Sequence, residues 1–462
     1  MFPRGPWHRR STCHRNHEGV SMKSSSYNNW SEVTRNWRVL LASFLGLCIS
    51  SSGMYIYTKP MFFAELHLSL GWSRSELAIA SIAHVAFIVV LAPFVGSFMD
   101  RRGIRGPIAF SLVAQVVCYI ALAAMPAKLW AFYGLQALLS ALGVAATPLG
   151  YSRAISSHFD AKRGFALSVS ISGMGLIAIT APLILPPLMA VIGWRGAYLS
   201  MAGFIAVLSI PTLWLLGPDS SRKSGAQRHS HPRLRGDAQS LDKRAASESG
   251  EHEDIPLVRR PVFWLLMVAF MLPMLFGSGY MSHFILLLRD RGYSATDAGM
   301  VVSVIGAALF IGRLGTGFLL DHLFAPRVMA VILAMFGAGL LMLRSHEPAL
   351  LLPAAFTVGF ALGAELDVLA YLVSRYFPLK NYGRNYGVFY STVSGASSFS
   401  ALLLAQSAER TGSYDLILAI SAGVMLLSSA LFLCAPRFPS RQDRDAHPKT
   451  TVDSPAEPRA PS

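Results

Sequence analysis

A handful of ionisable side chains interrupt long apolar runs, and these are the residues that could do chemistry. Arg313 lies eight residues before Asp321, about 12 Å along a helix at ~1.5 Å per residue. A guanidinium at that depth can hold a carboxylate by two parallel hydrogen bonds, its desolvation offset by the incoming anion. A structural arginine, paired with carbonyls or a carboxylate on a neighbouring helix, is the other reading. Lys59 follows Tyr55 and Tyr57 late in an earlier run. It can be a second cation in the same cavity or can snorkel to the interface. Glu365 and Asp367 are two residues apart, roughly 200° around a helix, so the pair cannot both face one cavity. One of them is a candidate for taking up and releasing a proton, and a structural pairing with an arginine is the alternative. His84, whose imidazole titrates near neutral pH, is a third proton-coupling candidate; a satisfied interior histidine is the plainer reading. Tyr280 and Tyr371, with Tyr55 and Tyr57, can line a cavity with hydroxyls or simply pack.

Other chemistry leaves no trace. There is no Gly-x-x-x-x-Gly-Lys-Ser/Thr loop for ATP, no His-Glu-x-x-His and no nucleophile elbow. The four cysteines include no CxxC spacing. No metal site and no cofactor is expected, and an enzyme lacks any catalytic constellation. Charges deep in hydrocarbon are costly, which makes them default markers of a solute path.

The elements that must position these groups are apolar helices. The 462 residues are 53% hydrophobic and only 14% charged, against about 25% charged in a soluble domain; the mean hydropathy is +0.45. Spans long enough to cross a bilayer fall near 37–60, 75–99, 106–126, 129–155, 164–189 and 194–216. A second set falls near 261–288, 296–320, 327–344, 348–376, 385–408 and 414–435. The expectation is an all-α membrane protein of about twelve transmembrane helices in two pseudo-symmetric six-helix bundles, 37–217 and 261–435. Residues 218–260 are polar and read as a cytoplasmic linker; 1–36 and 436–462 read as disordered cytoplasmic tails.

The net charge of +15 is concentrated in the tails, the linker and short loops on one side of this map. That distribution places both termini in the cytoplasm by the positive-inside rule. Because the basic stretches are joined to apolar spans, the lipid bilayer rather than nucleic acid is the expected partner, and a multi-pass monomer in a cell membrane of bacterial inner-membrane type is the expected setting.

Between the second and third spans sits Gly96-Ser97-Phe98-Met99-Asp100-Arg101-Arg102-Gly103-Ile104-Arg105. A shortened version recurs at Gly317-Phe318-Leu319-Leu320-Asp321-His322. A shift of 221 residues, without gaps, carries Gly71-Trp72-Ser73 onto Gly292-Tyr293-Ser294, Glu76 onto Asp297, Gly96 onto Gly317 and Asp100 onto Asp321. Two related halves are a mark of transporters. The loop resembles the Gly-x-x-x-Asp-Arg-x-Gly-x-Arg signature of the major facilitator superfamily, matched at Gly96, Asp100, Arg101, Gly103 and Arg105. The stretch Gly312-Arg313-x-x-x-Gly317-x-x-x-Asp321 is similar to the monocarboxylate porter and oxalate/formate antiporter branch. So are Gly71 to Glu76 and Glu365-x-Asp367 to Phe377. Two positions depart from that branch: Leu309 stands where porters carry an aspartate, and 385–408 lacks the antiporters' lysine.

The resemblance implies the major facilitator fold and secondary transport by alternating access, as symport or antiport driven by a proton or counter-solute. The expected cargo is a small organic anion, most simply a carboxylate, bound by Arg313 with Lys59, Tyr55, Tyr57, Tyr280 and Tyr371. Gly96, Asp100, Arg101, Gly103, Arg105, Gly317 and Asp321 would form a conformational latch. Export of hydrophobic drugs or peptides is the alternative within transport, and a non-transporting membrane sensor the alternative of another class.

Overall fold

The structure is a computed structural model that describes residues 30–217 and 257–438. The expected tail 1–29, most of the linker (218–256) and the end of the C-terminal tail (439–462) lie outside the described residues.

The described chain is almost entirely helical. A short α1 (Trp30–Arg35) precedes α2 (Trp37–Cys48) and α3 (Ser51–Leu70), which together make the first span. They are separated because Ser50 turns extended and its Oγ caps α3 at Gly53 N, 3.1 Å away. Next come α4 (Arg74–Arg102), α5 (Arg105–Ala124), α6 (Leu129–Gly143) and α7 (Pro148–His158). The fourth span is broken by a 3-10 turn at Val144–Ala146, just where Pro148 must start a new helix. In α8 (Arg163–Leu216) two spans run on, divided at Gly193, whose φ of 69° breaks the helix. The second half holds α9 (Pro261–Gly277), α10 (Tyr280–Asp290), α11 (Ala295–His322), α12 (Ala325–Arg344), α13 (Pro348–Tyr376), α14 (Tyr382–Thr411) and α15 (Asp415–Leu433). With α9 and α10 as one broken span, the total is twelve transmembrane helices in two sets of six.

Two sequence expectations are corrected at their edges. Residues 30–35 form a helix rather than a featureless tail, and Leu257–Arg259 forms a 3-10 turn rather than linker. In both places an aromatic or apolar residue finds a partner: Trp30 meets Phe165 edge-on with ring centroids 5.5 Å apart, and Leu257 packs on the second bundle.

The repeat seen in sequence is a repeat of local structure. Ser73 caps α4 by accepting from Glu76 N at 3.2 Å, and its mate Ser294 caps α11 by accepting from Asp297 N at 3.1 Å. Outward faces of the bundles carry bare apolar side chains, with Leu183, Val191, Ile210 and Trp214 each 70% or more exposed. A water-soluble protein does not present such a belt, which lipid covers at no cost.

Within the second bundle α11 and α13 lie backbone to backbone. Gly359 faces the carbonyl of Ile305, Gly363 that of Leu309 and Gly312 that of Phe360, so closely that a Cβ at any of them would collide with the opposing main chain. Small residues four apart are the usual device for such contact in lipid. This contact fixes the helices that carry Arg313 and the Glu365/Asp367 pair.

Candidate functional site

Arg313 points neither to lipid nor to its own bundle alone. It is 3% exposed, and its Nη1 donates to the carbonyl of Ile171 on α8, in the other half, at 2.7 Å. Its Nε has no hydrogen-bond partner. Asp367 on α13 is wholly buried within the field of Arg313, yet the two do not close into an ion pair and neither carboxylate oxygen has a hydrogen bond. Ser168 of α8 faces that carboxylate from the other half without closing a hydrogen bond of good geometry; the hydroxyl of Thr316, one turn beyond Arg313 on α11, has no partner. Both halves therefore contribute to a buried polar seam whose hydrogen bonding is incomplete. Buried polar groups are nearly always satisfied, and an unpaired buried charge is the costliest exception.

Glu365 is 2% exposed with Oε1 unpartnered. Being two residues from Asp367, it points to a different side of α13. Of the two acids, Asp367 is the one that Arg313 acts upon.

The other predicted residues form separate groups. Lys59 of α3 lies with its Nζ 5.7 Å from the Tyr55 ring and 5.9 Å from that of Phe63, with no carboxylate at ion-pair distance among the described residues. It borders a small cleft with Thr58, Tyr119, Gln136 and Tyr198. Tyr55 donates to Ser81 Oγ at 3.2 Å and stacks on His84 at 3.7 Å. His84 is 1% exposed and neither ring nitrogen is hydrogen-bonded, whereas its carbonyl accepts from Ser140. Lys59, Tyr55 and His84 thus form one cluster inside the first bundle. Tyr57 packs against that bundle's apolar core. Tyr280 ties α10 to α15 through Ser421 Oγ at 3.1 Å, and Tyr371 sits under the Arg375 guanidinium, 5.1 Å from its ring. The structure does not bring Tyr280 and Tyr371 to Arg313.

Sequence reasoning passed over a ladder of tyrosines on α14. Tyr382, Tyr386 and Tyr390 stack in near-parallel pairs, 5.6 and 5.8 Å between centroids, and all three are buried. Tyr386 has an unpartnered hydroxyl, as have Tyr151 and Ser152 of α7. The signal was available: three tyrosines at i, i+4 and i+8 make one helical stripe.

At the face where α4, α7, α11 and α13 end, the halves interlock twice. Asp100 accepts from Gly383 N at 2.9 Å and Arg384 N at 2.8 Å, capping α14; Asp321 accepts from Gly164 N at 2.7 Å and Phe165 N at 3.0 Å, capping α8. Each acid thus satisfies orphan amides of a helix in the opposite half. Gly96 abuts Gly383 and Gly317 abuts Gly164, too close for a Cβ. The ion pair of Asp100 is with Arg153 (2.8 Å), which also donates to Leu379 O at 2.9 Å. Arg101 is exposed and Gly103, at φ 89°, turns the chain into α5. Asp160 adds a further pair, with Arg375 of the second half at 2.9 Å and Arg163 at 3.2 Å. Among the described residues no cluster of three or more His, Cys, Asp or Glu could hold a metal ion.

Comparison with known proteins agrees with this architecture. The profile of the Major Facilitator Superfamily matches residues 40–401. The MFS transporter asaE of Aspergillus flavus is 23% identical over 390 residues, covering 81% of this chain and 80% of that one. The fujikurins efflux protein of Gibberella fujikuroi is 22% identical over 370 residues, covering 78% and 74%. The solved E. coli fucose:proton symporter FucP superposes with a TM-score of 0.63 at 12% identity, over 87% of this chain and 99% of its own. Twelve spans in duplicate, each half capping the other, and a family profile over most of the length lead to one assignment: this chain belongs to the Major Facilitator Superfamily of membrane transporters.

Proposed function

We propose that the chain is a secondary active transporter of a small organic anion, a carboxylate, working by alternating access. The carrying observation is the incomplete seam: Arg313 with one hydrogen bond to the opposite half, and Asp367 beside it with none. Ionised Asp367 neutralises the guanidinium. Protonated, it frees that positive charge for an incoming carboxylate, which pairs with the guanidinium and competes with Ile171 for Nη1. Proton and anion then travel together, or a counter-anion exchanges for the first. This is the branch to which the sequence around Arg313 is similar, with the carboxylate supplied from α13 where porters supply it at the position of Leu309.

In this reading Gly96, Asp100, Arg101, Gly103, Arg105, Gly317 and Asp321, with Arg153, latch the state closed at the basic face, and bundles 37–217 and 261–435 rock as a monomer's two bodies. The Lys59–Tyr55–His84 cluster serves as a second stop for the anion. Lysine and arginine crowd the latched face, which supports cytoplasmic termini in a cell membrane.

One observation favours a second reading, export of hydrophobic drugs or peptides: a relative bears the name of an efflux protein. Reconstituted protein separates the two. Uptake of radiolabelled carboxylates into proteoliposomes, with and without a pH gradient, is expected to depend on Arg313 and to be inhibited by competing small carboxylates. Competition by bulky neutral compounds alone, with Arg313→Gln unimpaired, removes the anion reading.

A further inference from the structure

The latch has a support outside both bundles. Helix α1 lies across the turn that joins α7 to α8. The Glu32 carboxylate accepts from Asp160 N at 2.7 Å through one oxygen and from Lys162 N at 2.9 Å through the other. Asn36 Nδ2 donates to His158 O at 3.0 Å, and Trp30 meets both the Phe165 ring, edge-on, and the Lys162 ammonium, 5.0 Å away. Both ends of the turn are therefore held from α1 and the residue that follows it.

That turn carries Asp160. Its carboxylate meets Arg375 Nη1 at 2.9 Å and its carbonyl accepts from Arg375 Nη2 at 2.8 Å, so the second half is gripped by a single residue in two places. A turn free to rotate would present these two acceptors together only part of the time. Holding its amides with a carboxylate fixes both, because charge-assisted hydrogen bonds to backbone N–H groups are short and directional.

We infer that Glu32 is a positioning residue for closure of the basic face: it orders the 158–162 turn so that Asp160 can bridge to Arg375. Among the described residues the second half shows no copy of this device. There the corresponding turn, Leu379–Asn381, is held from the first half by Arg153. Closure is thus supported by a segment N-terminal to the first span. The inference rests on the latch reading given above.

The test is the closed-to-open ratio at the basic face in the full chain in lipid nanodiscs. Spin labels at Arg102→Cys and Leu323→Cys, with the native cysteines replaced by serine, report the distance between the ends of α4 and α11. Glu32→Ala is expected to lower the ratio roughly three- to tenfold, the net effect of losing about one ordinary hydrogen bond. Glu32→Asp, which keeps the carboxylate, is expected to restore part of the closed population. Asp160→Asn is expected to lower the ratio too, with Glu32→Ala adding little on top of it. An unchanged ratio in Glu32→Ala, or full additivity with Asp160→Asn, overturns the role of Glu32 and leaves the latch standing. An unchanged ratio in Asp160→Asn overturns the inference together with the part of the latch that runs through Asp160.

Discussion

Arg313 and Ile171 belong to different halves of the molecule, and the 2.7 Å bond between guanidinium and carbonyl is a direct polar tie across the buried part of the seam. A solute that competes for this donor loosens the contact between α11 and α8 in the act of binding. In the proposed reading, binding and rearrangement are thereby linked through one side chain.

Replacing Arg313 tests that link. Arg313→Gln is expected to reduce carboxylate uptake by at least tenfold, the loss of a charge-assisted bidentate contact. Arg313→Lys retains charge without the planar fork and is expected to fall between the two. Initial rates in proteoliposomes, normalised to inserted protein, decide it.

Asp367→Asn removes a proton site while preserving shape. Uptake driven by a pH gradient is expected to disappear, whereas exchange of external for internal anion persists, because the neutral amide mimics the protonated acid. If both fluxes vanish together, Asp367 holds the bundle in place rather than carrying the proton.

Asp100→Asn and Asp321→Asn each weaken a cap shared between halves. Each is expected to raise the population open at the basic face, measured by labelling of a single cysteine placed at that face. Asp100 is expected to have the larger effect, since it also loses the ion pair with Arg153 at 2.8 Å.

Gly363→Val puts two methyl groups against the Leu309 carbonyl. Overpacking of this kind costs about 1–3 kcal/mol, and a lower thermal midpoint in detergent is expected. Gly106→Ala, where nothing lies within 4 Å of an added Cβ, is the matched control and is expected to leave the midpoint unchanged.

Hydropathy and the 221-residue repeat made the twelve spans legible, because an apolar run of that length has few fates other than a membrane helix. The breaks at Ser50, Val144–Ala146 and Ser278 were less legible, since apolar composition continues through them while the backbone turns. Arg313 could be singled out because its repeat mate is Ala92. Its partner could not: whether Glu365 or Asp367 faces it depends on the rotation of α13, which the contacts of Gly359 and Gly363 set. The signature loop pointed to its own arginines, but Asp100 pairs with Arg153, a residue distant in sequence and one helix pair away. The α1 contacts were hidden for another reason. Six mostly polar residues ahead of a span carry no periodicity, and the turn they meet gives them a shape.

The exchanged caps also bear on how the molecule comes into being. The amide ends of α8 and α14 are capped by Asp321 and Asp100 of the opposite set. A chain severed between residues 217 and 257 yields two fragments, each with one raw helix start and one acid lacking its target. The two caps are completed only when the fragments meet in the bilayer.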